Sequence, residues 1–163
     1  MPFNTLLLTS LMPGASVSES GVSVGVERQA DETVLFFKID NTPVRKDLGI
    51  QEGEAGCDYV AFYSKENRIV LCFVELKGKD VKHAVEQIIH TYRRIQELLK
   101  YRPCWPRLDH ITWKAYVCYN AHSPISQTKP YVDQLKKVFG SEKNYNIVRD
   151  RGKKDEFGKF LRK

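Results

Sequence analysis

Arg68-Ile69-Val70-Leu71-Cys72-Phe73-Val74-Glu75-Leu76-Lys77 is the stretch that decides the fold of this 163-residue chain. No polar residue interrupts it from Ile69 to Val74. A half-buried strand alternates apolar and polar residues; an unbroken apolar run marks a central strand covered on both faces. Ser64-Lys65-Glu66-Asn67 precedes it and suits a hairpin turn, and residues 59–63 supply the antiparallel partner. Asp80 follows, an N-cap for a helix over residues 81–101. That helix carries Val81, Ala84, Val85, Ile88, Tyr92, Ile95 and Leu99 at spacings of three and four, and Pro103 and Pro106 stop it.

Working outward, residues 111–119 predict a strand, residues 131–139 a helix ended by Gly140, and residues 145–148 a further strand. Upstream, residues 34–39 predict a strand. Val22, Val24 and Val26 alternate in a short strand at the end of a Gly- and Ser-rich stretch, residues 13–33, otherwise read as loop. Pro43, Gly49, Gly53 and Gly56 punctuate residues 41–56, also read as loop. The expected architecture is α/β (α+β): one domain over residues 1–163 with a mixed central sheet flanked by helices and a right-handed crossover at residues 81–101. Residues 1–33 form an irregular N-terminal segment in this reading, and residues 150–163 a basic tail.

The chain is 42% hydrophobic and 28% charged, so it can bury a core without disulfides or a structural metal. Its longest apolar run falls far short of the roughly 18–20 residues a bilayer demands. No basic segment precedes the Leu-rich start, so no signal peptide is expected. Cys57, Cys72, Cys104 and Cys118 contain no C-x-x-C pair, which removes zinc-ribbon and thioredoxin readings. The expected setting is the cytoplasm. The net charge of +6 is uneven: residues 1–80 hold 8 basic and 12 acidic side chains, residues 81–163 hold 18 and 8. A basic half beside an acidic half fits a polyanionic partner gripped by one face.

Strand side chains two apart share a face, so Glu75 and Lys77 project together where the apolar strand gives way to Gly78-Lys79-Asp80. The hairpin brings Asp58 opposite position 74 or 75. Two carboxylates in close range repel, which raises the pKa of one or recruits a cation. Mg²⁺ or Mn²⁺ suits two carboxylates, a backbone carbonyl and waters, and can stabilise charge on a phosphoryl oxygen. A Glu-x-Lys triplet alone carries little. The upstream Asp58, the buried strand and the helix immediately after it carry more.

Together, Gly56-Cys57-Asp58-Tyr59-Val60, Val74-Glu75-Leu76-Lys77-Gly78 and the helical Ala84-Val85-Glu86-Gln87-Ile88 resemble the PD-(D/E)xK, or restriction-endonuclease-like, nucleases over about residues 56 to 120. The resemblance implies that Asp58 and Glu75 bind the metal with the Leu76 carbonyl, that Lys77 serves the attacking water, and that Gln87 lines the site. The family's N-terminal helix, which often adds an acidic ligand, is not predicted by the pattern of residues 1–33. Glu19, Glu27 and Glu54 are the acids available in its place.

The expected activity is therefore a Mg²⁺- or Mn²⁺-dependent nuclease acting on DNA in preference to RNA, as a homodimer if both strands are cut. Lys79, Lys82, Arg93 and Arg94 are the candidate nucleic-acid contacts, with Arg149 to Lys154 in the tail as further candidates for holding phosphates. An inactive nuclease-fold module binding nucleic acid or a protein is the alternative. A carboxylate-pair hydrolase using Asp58 and Glu75 would leave Lys77 idle. His83, His90, His110 and His122 show no metal spacing. Trp105, Trp113, Tyr101, Tyr116 and Tyr119 read as core aromatics before they read as base-stacking platforms.

Overall fold

A computed structural model describes residues 9–78, 80–100, 110–120, 128–153 and 155–163. The strands are β1 (Leu11–Met12), β2 (Ser16–Glu19), β3 (Val22–Gly25), β4 (Thr33–Lys38), β5 (Tyr59–Lys65), β6 (Arg68–Lys77), β7 (Ile111–Asn120) and β8 (Tyr145–Asp150). Among the described residues the helices are α1 (Thr42–Asp47), α2 (Val81–Lys100), α3 (Lys129–Phe139) and α4 (Glu156–Arg162), and Thr9 and Ser10 are also helical. Among the described residues, six strands form one mixed sheet in the order β1-β4-β5-β6-β7-β8, while β2 and β3 pair separately. The first four strands of that order run antiparallel, and β6-β7-β8 are parallel.

The apolar run behaves as its sequence demands. Val70, Cys72, Phe73, Val74, Glu75 and Leu76 in β6 are all buried, because layers cover both faces of the sheet. On one side, Phe73, Val60, Ala115 and Val117 meet Val81, Ala84, Val85 and Ile88 of α2 and Leu135 and Phe139 of α3. On the other, Val70, Cys72, Val74 and Leu76 meet Val17, Val22 and Val24 of the small hairpin and Phe157, Phe160 and Leu161 of α4. The Asp80 carboxylate accepts from the His83 N–H at 2.9 Å and starts α2 as a cap. Cys57, Cys72 and Cys118 are buried free thiols.

Three expectations are corrected. Residues 13–33 are not loop plus one strand but a hairpin, closed by Ser20 and Gly21 at φ of 54° and 72°. Two consecutive positive φ values give the tight reversal whose twist matches paired strands. Residues 41–56 contain α1, capped by the Asn41 side chain on the Val44 N–H at 2.9 Å. Pro43 sits in its first turn, where a missing N–H costs nothing, and Gly49 ends it at φ 68°. Residues 150–163, read as a basic tail, contain α4, which buries Phe157, Phe160 and Leu161 at helical spacing. The other predicted elements appear within a few residues of their expected bounds, and β6 matches its own. Tyr101, Pro103, Cys104, Trp105, Pro106 and His122 lie outside the described residues.

Cations fasten α4. Arg68 donates to the Leu161 carbonyl at 3.0 Å and also to that of Arg162, satisfying carbonyls that a helix end leaves unpaired. Lys114 is wholly buried, donates to the Phe160 carbonyl at 2.7 Å and lies over the Phe160 ring. Burial, then the charge of Arg68, pulls the Lys114 pKa down to about 8. Arg162 reaches Glu32 at 2.8 Å, and that hydrogen bond holds the Glu32 carboxyl down at about 2.

Because Glu32 has a folded pKa below its ordinary 4.5, its contribution to stability is present above pH 4.5 and lost as pH falls toward 2. Arg162→Ala should cost about 2 kcal/mol at pH 7, lowering Tm by about 4–8 °C. Thermal unfolding at pH 7 and pH 3 should show that deficit shrinking in acid.

Candidate active site

The hairpin register pairs Tyr59 with Val74, so Asp58 falls opposite Glu75 one step beyond the ladder. Each carboxylate there accepts from the other strand's backbone. The Asp58 N–H donates to Glu75 Oε2 at 2.8 Å, and the Leu76 N–H donates to Asp58 Oδ2 at 2.8 Å. These two bonds replace the backbone pairs that a longer ladder would make. They lock both side chains at the carboxyl end of β6, the end where open α/β sheets place their sites. Lys77, two residues along the same face, holds its Nζ 2.7 Å from Glu75 Oε1. That contact is an ion pair of poor direction, so buried Oε1 has no donor in hydrogen-bonding geometry among the described residues.

Glu75 is fully buried and Asp58 nearly so. Burial first, and the Asp58 charge second, push the Glu75 carboxyl up to about 8 despite the pull of Lys77. Burial also raises Asp58, against the downward pull of the Leu76 N–H and Lys77. Burial lowers Lys77, but its close ion pair with Glu75 and the charges of Asp58 and Asp40 outweigh this and leave its pKa raised. Two carboxylates and one ammonium cannot all ionise in this enclosure without excess negative charge. A proton on Glu75 or an added cation resolves it.

The donor set fits a hard divalent cation. Glu75 Oε1 is a buried acceptor without a directed donor, and Asp58 lies across from it. Leu76 directs its N–H toward Asp58, and in an extended strand a residue's carbonyl faces the same side. Two carboxylates and one carbonyl leave the remaining positions of an octahedral ion to water, as Mg²⁺ prefers. Among the described residues no group of three or more His, Cys, Asp or Glu side chains forms an all-protein cage.

Gln87 stands one step behind this cluster. Its Nε2 donates to the Gly56 carbonyl at 2.7 Å, while its Oε1 is buried without a partner among the described residues. Thr91, one turn on, accepts from the Cys57 N–H at 2.9 Å, and the His90 ring meets the Ala55 carbonyl. This face of α2 therefore pins residues 55–57, the run that delivers Asp58. Lys82 is exposed at 4.0 Å from Glu86, and Arg93 is exposed on α2. Arg94 is drawn into the fold by the Gly49 carbonyl, Glu97 and Glu54. Lys79 lies outside the described residues.

Of the three substitute acids, Glu54 pairs with Arg94 and Glu27 is exposed. Glu19 accepts from the Tyr59 hydroxyl at 3.0 Å, and its charge contributes to the raised Asp58 pKa. Asp40 joins the site although no sequence motif marks it. The N–H groups of Ile39 and Asp40 both donate to the Asp58 carbonyl, at 2.9 and 3.4 Å, which sets Asp40 beside the site. Its charge raises both Asp58 and Lys77. The β4–β5 register, Lys38 opposite Tyr59, is the signal that locates it.

Comparison with protein-family models, with curated proteins and with solved structures finds no match to this chain. The site stands on its own geometry.

A carboxyl whose pKa rises on folding adds stability below its unfolded value and forfeits it as pH climbs to the folded one. For Glu75 that window runs from 4.5 to about 8. Without added metal, Glu75→Gln should therefore raise Tm by several degrees at pH 8, worth about 1–2 kcal/mol. The gain should shrink at pH 6 and vanish below pH 4.5 in the same calorimetric scans.

Proposed function

We propose that this protein is a metal-dependent nuclease with a restriction-endonuclease-like core, hydrolysing phosphodiester bonds of DNA in preference to RNA. The observation that carries the reading is the reciprocal bracket of Asp58 and Glu75, buried at the end of β6 with Lys77 on the same face. The parallel β6-α2-β7 unit beside an antiparallel β4-β5-β6 meander supports it, as does the basic balance of residues 81–163.

Asp58, Glu75 and the Leu76 carbonyl would hold Mg²⁺ or Mn²⁺. Bound there, the ion supplies charge stabilisation at the phosphoryl oxygen and a water of lowered pKa. The remaining work belongs to this chain. The bracket prevents the two carboxylates from rotating away from one another, so no reorganisation is needed when substrate arrives. With Glu75 Oε1 shared between Lys77 and a bound ion, the Lys77 ammonium, 23% exposed, would be held less tightly and would orient the attacking water or neutralise the developing charge. Gln87 and Thr91 act at one remove, by fixing the 55–57 run. Two copies of the chain would present the two sites that duplex cleavage requires.

Purified protein should nick plasmid and cut linear duplex DNA with Mg²⁺ or Mn²⁺ and be inert in chelator. Asp58→Ala and Glu75→Ala should each lower the rate by at least about 100-fold, and Lys77→Ala comparably. Titration calorimetry should show Mn²⁺ uptake by the wild type and none by Glu75→Ala. Equal cleavage by wild type and Glu75→Ala would refute the assignment. DNA binding without Mn²⁺ uptake or cleavage would identify an inactive module instead.

A further inference from the structure

We infer that Arg149, set by Tyr119, is a phosphate-binding residue that holds a neighbouring phosphate of the same polyanionic substrate; this rests on the nuclease reading of the Asp58–Glu75 site. The placement follows from strand register. Lys77 of β6 lies opposite Tyr119 of β7, and Tyr119 lies opposite Arg149 of β8. The three therefore form a row across the carboxyl ends of three parallel strands. Alternation puts the row on the α2–α3 side, the side of Glu75, since Phe73, Val117, Tyr119 and Ile147 pack in that core. Strands about 4.8 Å apart set the Arg149 backbone roughly 10 Å from that of Lys77.

The side-chain geometry is that of a prepared anion receptor. Arg149 Nε donates to the Tyr119 hydroxyl at 3.2 Å, and the guanidinium lies 5.9 Å from the centre of the Tyr119 ring. Tyr119 is itself buried, so its hydroxyl is a fixed post. Holding Nε fixes the guanidinium plane and leaves both terminal nitrogens available as a fork. No carboxylate pairs with Arg149 among the described residues, although it sits on an exposed strand position. A planar fork of fixed orientation suits the bidentate geometry of a phosphate, which a lysine cannot reproduce.

The row suits a duplex, whose phosphates face outward. Readers of unpaired strands stack bases on exposed aromatic rings. Among the described residues the exposed large hydrophobic side chain is Leu11, and no aromatic is exposed. The one ring in the row, Tyr119, is buried, so the row offers its charge to a backbone.

The test measures binding of a fluorescent 20-base-pair DNA duplex by anisotropy across a salt series, in chelator, so that cleavage cannot intrude. Arg149→Gln should weaken binding about tenfold and reduce the salt slope by about one counterion. Arg149→Lys should recover the slope without the full affinity. Tyr119→Phe, which keeps the ring and loses the post, should fall between wild type and Arg149→Gln. Lys159→Gln removes one exposed cation from α4, on the other side of the sheet, and should bind within about twofold of wild type. Matching affinities and slopes for Arg149→Gln and Lys159→Gln would overturn the inference, as would tighter binding of a single strand than of the duplex. Tm within about 2 °C of wild type for all four variants shows that the fold is intact. If the wild type neither cleaves nor takes up Mn²⁺ but Arg149→Gln still flattens the slope, the phosphate site stands and the nuclease reading falls. If the wild type cleaves and Arg149→Gln leaves the slope unaltered, the nuclease reading stands and the phosphate site falls.

Discussion

Two buried carboxylates facing one another across an antiparallel pair govern this structure. Like charges in that position destabilise a sheet, and here both lie out of solvent, with Glu75 wholly covered. The fold tolerates them because each accepts a backbone N–H from the opposite strand and because Lys77 stands 2.7 Å from one of them. Even so the compensation is incomplete, as the rise of the Glu75 pKa to about 8 records. Stability is given up at this one buried cluster.

The rest of the architecture serves to hold that point rigid. β6 is central because both of its faces are apolar, and its neighbours fix the register that brings Asp58 opposite Glu75. α2 leaves the end of β6 through Asp80 and returns along the sheet, setting Gln87 and Thr91 against the run into Asp58. The hairpin of β2 and β3 with α4 seals the opposite face. The two layers have different tasks: one meets the site, the other keeps the strand beneath it dry.

Much of this is legible in the residues. The unbroken run from Ile69 to Val74 places β6 at the centre, and a two-residue period puts Glu75 and Lys77 on one face. Hairpin arithmetic carries Asp58 to its partner. The elements that the residues do not announce are short or punctuated. α1 is only six residues long and begins with Pro43 in its first turn, a residue as common in loops as at helix starts. The β2–β3 turn is Ser20-Gly21, a weak signal beside Asn-Gly, between strands half made of serine and glycine. α4 hides three apolar residues among charges, and only the sheet face waiting for them makes the spacing meaningful. Asp40 is invisible in the sequence because its place depends on pairing between strands far apart along the chain. Arg149 acquires its orientation from Tyr119, thirty residues earlier.

On the proposed metal-dependent reading, the buried pair is poised between a proton and a cation. Carbon-13 NMR of the Glu75 carboxyl, titrated with and without saturating Mg²⁺, tests this directly. Without metal the carboxyl should titrate near pH 8, and with Mg²⁺ its midpoint should fall back to or below the ordinary 4.5. An ordinary midpoint in both titrations, unmoved by the ion, would contradict it.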